Sequence, residues 1–175
     1  MRIEVENLKD KAEAFSHSYA PEEVELEDEA ARLVAPAEVN GSASRKGEEV
    51  RLRGKIATEI ELLCGRCLAP ARSPLELEFD TRFIPQSEAA GETDNVELLT
   101  EDMGLAAFEG DSIDLDELVR EQILLALPVK VVCSEGCRGF CAGCGKNLNV
   151  EACTCEERPP DPRWAALADI KDKLK

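Results

Sequence analysis

A chain of 175 residues, 43% hydrophobic and with a net charge of -16, can bury roughly two-thirds of its unfolded surface in one sizeable core. That charge opposes long-range attraction to a phosphate backbone, and no stretch approaches the ~20 apolar residues of a membrane span. Glu4 and Glu6 stand where a signal peptide would carry its apolar run, so the expectation is a single cytoplasmic domain over residues 1–175 with no membrane partner.

In chain order, Met1 to Ala30 carries 10 acids against 3 bases and shows no clean period. Glu22 to Ala31 is an acidic run compatible with the start of a strand or a short helix. Leu33 to Val39 adds a candidate strand, linked onward through Asn40-Gly41-Ser42-Ala43. From Val50 to Leu62 the even positions are mostly apolar (Val50, Leu52, Ile56, Ile60, Leu62) and the odd ones mostly charged (Arg51, Arg53, Lys55, Glu59, Glu61), which is the period of a half-buried strand. Leu75, Leu77, Phe79, Thr81 and Phe83 alternate with Glu76, Glu78, Asp80 and Arg82 in a second one, and the two predict an antiparallel hairpin. The fold class expected is α+β, with a small antiparallel sheet in the N-terminal half.

Residues 86–111, acidic and punctuated by Gly91, Gly104 and Gly110, read as a mobile connection with at most a short strand at Val96 to Leu99. Gln86 to Glu121 carries 12 acids against 1 base, so this segment and Met1 to Ala30 together supply -18. Asp114 then caps a helix, with Glu117 completing a capping box and Ile113 placed to staple onto Leu118. Leu115, Leu118, Val119, Ile123 and Leu125 or Ala126 form its buried stripe, and Pro128 stops it after Leu127. Asp161-Pro162 opens a last helix with Trp164, Leu167 and Leu174 on one side, Trp164 serving as a core anchor.

Eight cysteines in a reducing compartment point to metal rather than disulfides. They fall in four pairs, Cys64/Cys67, Cys133/Cys137, Cys141/Cys144 and Cys153/Cys155, which suits two tetrahedral zinc sites. Loop closure is cheapest between near neighbours, so Cys141, Cys144, Cys153 and Cys155 make one site within the cysteine-rich segment 133–155. Cys64 and Cys67, at the tip of the hairpin, then pair at a distance with Cys133 and Cys137, clipping the helical half to the sheet. A contrary partition leaves Cys64 and Cys67 free and has the six later cysteines compete for one metal. Tetrathiolate zinc would add about two negative charges per site to Ala43–Arg82 and Gln122–Lys175, each of which holds 8 bases and 7 acids.

Catalytic readings are poorly supported. A redox dithiol wants a helix N-terminus to depress its thiol, whereas Cys64-Gly65-Arg66-Cys67 joins two strands. Catalytic zinc wants an open position and usually histidine, and His17, the one histidine, lies far from every cysteine pair as a surface or packing residue. No nucleophile elbow, phosphate-binding glycine loop or deaminase signature occurs. The expectation is a protein that is not an enzyme and has no small-molecule substrate.

Several segments together resemble the YceD family, the large ribosomal RNA subunit accumulation proteins. They are Leu63-Cys64-Gly65-Arg66-Cys67-Leu68, Ile113-Asp114-Leu115 through Leu127-Pro128, and Cys133 to Cys137 followed by Arg138-Gly139-Phe140-Cys141 to Gly145. Asn147-Leu148-Asn149 and Asp161-Pro162-Arg163 complete the set. The resemblance runs from about Val50 to Lys175. It implies a bacterial role in the synthesis, processing or stability of large-subunit (23S) ribosomal RNA, with the precursor RNA or its particle as direct or indirect partner. Two bridges to that role are open. The acidic tracts suit an adaptor that holds basic ribosomal proteins. Alternatively the strand face Arg51, Arg53 and Lys55, with Arg45, Lys46, Arg66 and Arg72, touches RNA directly, although aromatics at 4% of the chain offer few stacking platforms. A processing enzyme is a third class, and the chain shows no constellation for it.

Overall fold

The computed structural model describes residues 1–26, 31–89 and 105–155, together with Arg163 and Leu167. The strand expected at Val96 to Leu99, Trp164 and most of the expected last helix lie outside those residues. Leu167 is helical and exposed.

The strands are β1 (Arg2–Glu4), β2 (Glu13–Tyr19), β3 (Ala31–Leu33), β4 (Ala37–Lys46), β5 (Glu49–Leu63), β6 (Pro70–Pro85), β7 (Leu105–Phe108) and β8 (Ser112–Asp114). The helices are α1 (Gln86–Ala89) and α2 (Leu115–Ala126). The main sheet runs β2-β4-β5-β6-β7, with β3 paired to the far end of β5, while β1 and β8 form a separate two-stranded ribbon. The fold is therefore dominated by sheet, more so than the α+β expectation allowed.

The long hairpin β5–β6 follows from its period. Val50, Leu52, Ile56 and Ile60 on β5 and Leu75, Phe79 and Phe83 on β6 are buried on one face. Each contributes roughly 1.5–3 kcal/mol through removal from water. Against them pack Leu115, Leu118, Val119 and Ile123 of α2 and Ile3 and Val5 of the N-terminal segment. The unpatterned N-terminus thus forms real elements: β1 pairs Ile3 with Ile113, and β2 pairs with β4 along its whole length.

Three expectations need correction. The sheet is mixed, because β7 lies parallel to β6. α1 and β7 both fall within residues 86–111, so the described ends of the segment expected as a mobile connection are a helical turn and a strand. Second, Asn40-Gly41-Ser42-Ala43 is the middle of a strand, and the turn comes later, at Gly47-Glu48, where Gly47 has φ +65°. Gly41 sits opposite Gly54 across the β4–β5 pair. A Cβ at Gly41 would lie 2.6 Å from the Phe15 ring, and one at Gly54 2.7 Å from the Phe79 ring, so each phenylalanine fills the space that its glycine leaves. Third, Asp114 caps α2 through the Asp116 amide, 2.9 Å away, and not the amide of Glu117. The helix stripe takes Ala126, which packs on the core, and leaves Leu125 exposed.

Candidate metal centres

The first centre begins where the β5–β6 pairing ends at Leu63 opposite Pro70. The Cys64 amide donates to the Ala69 carbonyl (2.8 Å) and the Leu68 amide to the Cys64 carbonyl (2.9 Å). This tight loop holds Leu68 at φ +57°, a conformation uncommon for a bulky residue, and buries Cys64 and Cys67. Beyond α2 the chain returns to the same end of the sheet: Gly65 donates to the Val131 carbonyl (2.9 Å) and the Arg66 guanidinium to the Cys137 carbonyl (2.8 Å). The sulfurs of Cys64, Cys67, Cys133 and Cys137 then all lie within 4.8 Å of one another. Cys64 is 3.8 Å from Cys137 and Cys67 is 3.6 Å from Cys133, sulfur to sulfur. A tetrahedron with zinc–sulfur bonds of 2.3 Å has edges of about 3.8 Å, so the donor set fits such an ion. Cys64, Cys67, Ala71 and Cys137 form a small buried cluster of their own, with Ala69, Val131 and Val132 against it.

The second centre is local. Cys141, Cys144, Cys153 and Cys155 also bring four sulfurs within 4.8 Å, with Cys153 and Cys141 3.4 Å apart. Its loop turns at Gly145, φ +73°, where the Gly145 amide donates to the Cys141 carbonyl (2.9 Å). Cys144 and Cys155 are exposed. All eight thiols are free, and the structure thus gathers Cys133 and Cys137 with Cys64 and Cys67, apart from the other four.

Within each group the thiols are split. The Cys133 and Arg66 backbone amides pull Cys64 down to about 6, and those of Cys144 and Gly143 do the same for Cys141. At Cys67 the Ala69 amide is outweighed by burial and three neighbouring sulfurs, and the thiol rises to about 12. Cys155 rises to about 12 beside the Cys144 and Cys141 sulfurs. Each group therefore offers a ready thiolate and a thiol whose ionisation its neighbours resist, a conflict that a dication relieves. Asn149 also belongs here, a residue that no metal-ligand spacing marks: its side-chain amide donates to the Cys137 sulfur at 3.4 Å.

The basic strand face is laced with acids. Arg51 binds Asp80 through two bonds of 2.7 Å, Arg53 reaches the same carboxylate at 3.0 Å, and Lys55 pairs with Glu78 at 2.6 Å. Arg72 and Arg32 share Glu61. The Arg51 bond holds the Asp80 carboxyl at about 2 despite opposing burial. Arg45 bonds the Gly47 and Val5 carbonyls at 2.9 and 3.4 Å, and Lys46 is exposed beside the turn. His17 lies edge-on to Tyr19, ring centres 4.4 Å apart. The Tyr19 hydroxyl donates to Asp116 (2.8 Å), and burial and that carboxylate push the phenol up. Among the described residues no helix is long and apolar enough to cross a membrane.

Residues 52–171 match the family model described as large ribosomal RNA subunit accumulation protein YceD. An uncharacterized protein of Bacillus subtilis, YlbN, is 31% identical over 79% of this chain and 76% of its own length. An uncharacterized protein of Mycobacterium tuberculosis is 31% identical over 70% of the chain and 56% of its own length. The large ribosomal RNA subunit accumulation protein YCED homolog 1, chloroplastic, of Arabidopsis thaliana is 25% identical over 79% of the chain and spans 50% of that protein. No solved structure matches the chain.

Proposed function

The chain belongs to the YceD family of large ribosomal RNA subunit accumulation proteins, and from that membership we propose that it is a non-catalytic, zinc-braced adaptor on the assembling large subunit. Membership implies a role in large-subunit ribosomal RNA accumulation. The observation that carries it is the donor chemistry. All eight cysteines go into two four-sulfur groups, and four thiolates fill a tetrahedral ion's shell, leaving no position for water or substrate. Cys64, Cys67, Cys133 and Cys137 would hold one ion and Cys141, Cys144, Cys153 and Cys155 the other, each bracing the chain around it. His17, the one histidine, packs against Tyr19 and takes no part.

The adaptor element draws on charge. The acidic segments suit basic ribosomal proteins, in the cytoplasm of a bacterial cell, with large-subunit precursor RNA reached through the particle. Direct RNA contact by Arg51, Arg53 and Lys55 is disfavoured, because each would first have to leave its carboxylate partner. A tagged pull-down from gently lysed cells, with and without ribonuclease, tests the reading, together with metal counting by mass spectrometry. Two zinc ions per chain and basic ribosomal proteins retained at low salt after digestion are expected. RNA captured directly by purified protein, and lost on charge reversal at Arg51 and Arg53, would instead favour the RNA-contact reading.

A further inference from the structure

We propose that Asn149 is a positioning residue that couples the two metal centres, hydrogen-bonding a sulfur of the first from a turn enclosed by the second. The inference rests on the zinc reading above. Asn149 lies between Cys144 and Cys153, two ligands of the local group, in a turn closed by the Val150 and Glu151 amides donating to the Asn147 carbonyl (3.1 and 3.0 Å). From there its side chain reaches across to the other group. Its Oδ1 accepts the Arg138 backbone amide at 2.8 Å, and since that amide can only donate, the orientation of the side chain is set. Nδ2 is thereby turned to the Cys137 sulfur, 3.4 Å away. Asn147 Oδ1 accepts from both the backbone and the side chain of Asn149, each at 3.0 Å, and holds the arm in place.

The backbone makes the same link. Phe140 and Asn147 form an isolated antiparallel bridge, flanked by Leu148 donating to the Gly139 carbonyl (2.9 Å) and Cys141 donating to the Lys146 carbonyl (2.8 Å). This narrow lip runs from Cys137, a ligand of the first group, directly into Cys141, a ligand of the second. On its other side the lip is pressed onto the hairpin tip: Gly139 has φ +68°, and a Cβ there would stand 2.8 Å from the Arg66 carbonyl. Cys137 is thus a node, held at its carbonyl by Arg66 and at its sulfur by Asn149. An ion in the second centre orders the turn that presents Asn149. A donor at the Cys137 sulfur in turn fixes that sulfur in the orientation the first ion needs. By linkage each ion tightens the other by the same factor.

The test uses the full chain loaded with cobalt(II) and challenged with a chelator. The variants are N149A, N149D, C153S/C155S and the triple combination. N149D is isosteric and keeps the acceptor for the Arg138 amide, while it removes the Nδ2 donor to the Cys137 sulfur and to Asn147 Oδ1 and adds a negative charge. In wild type two ions are expected. In N149A one of them should leave at about tenfold lower chelator, with its sulfur-to-cobalt charge-transfer band shifted, a signature that a merely structural role would not move. N149D should lose at least as much. C153S/C155S should weaken the remaining centre in the same direction, and adding N149A to it should cost less than N149A costs alone. Unchanged chelator curves and bands in N149A and N149D, or fully additive losses in the triple variant, overturn the coupling while leaving the zinc reading in place. A wild-type chain that takes up no metal removes the zinc reading, and the coupling with it.

Discussion

Each of the two cysteine groups gathers four sulfurs, and they differ in what they close. The first joins the β5–β6 tip to a segment beyond α2, with Cys64 and Cys137 73 residues apart, and three of its four cysteines are buried. The second closes a loop whose ends are 14 positions apart, Cys141 to Cys155, and none of its cysteines is buried. Loop-closure entropy makes the distant clasp the costlier to form and the more consequential to lose. The first centre is a tertiary contact, and the second is a local fold of its own.

The sharpest way to break this contrast is C64S/C67S. It should remove one of two metal ions and lower the stability of the domain by on the order of 4 kcal/mol, read by native mass spectrometry and thermal unfolding. Retention of both ions would sink the pairing. Next in size, G54A forces a Cβ to within 2.7 Å of the Phe79 ring and 2.6 Å of the Asn40 carbonyl, costing about 1–3 kcal/mol. Because the first centre sits on β5 and β6, its ion should exchange faster in G54A, with a smaller change at the second centre. C153S/C155S should remove the other ion yet shift the unfolding of the sheet by less than about 1 kcal/mol, since its cysteines bury little. An equal loss in both double variants would erase the distinction.

The smallest effect tests the ion-paired strand face, away from either centre. Asp80 is held at about 2, against an ordinary 3.8, so its folded value lies below its unfolded one. Its contribution is present above about pH 4 and is lost as pH falls through about 2. With 45% of its side chain exposed, that contribution is screened to a few tenths of a kcal/mol. On chain stripped of metal, D80N should flatten the stability profile across that window by this amount. A steeper acid loss in D80N than in wild type would contradict the sign.

The hairpin and α2 were legible because their signals are local. Val50 to Leu62 and Leu75 to Phe83 alternate at the strand period, and Leu115, Leu118, Val119 and Ile123 recur at the helical one. β2, β7 and most of β4 were not, for specific reasons: the strand expected over Leu33 to Val39 is broken between β3 and β4 and meets β4 only in its last three residues. Phe15, His17 and Tyr19 alternate with serines too briefly to stand out. Gly41, which ordinarily marks a turn, is here a strand residue covered by Phe15. β7 is held by a parallel partner that no adjacent pattern announces.

What the sequence determined by itself is what spacing controls: the period of β5 and β6, the start and stop of α2, and the four cysteine pairs, with the loop lengths that group them. What only the tertiary structure decided is what cross-strand register and docking control. Arg51 and Asp80 are 29 residues apart in the chain, yet the register of β5 on β6 sets them in contact and neutralises a face that reads as basic in one dimension. Asn149 gains its role only because the lip after Cys137 folds back upon itself. Periodicity records which face of an element is buried, and it carries no information about which distant side chain stands opposite.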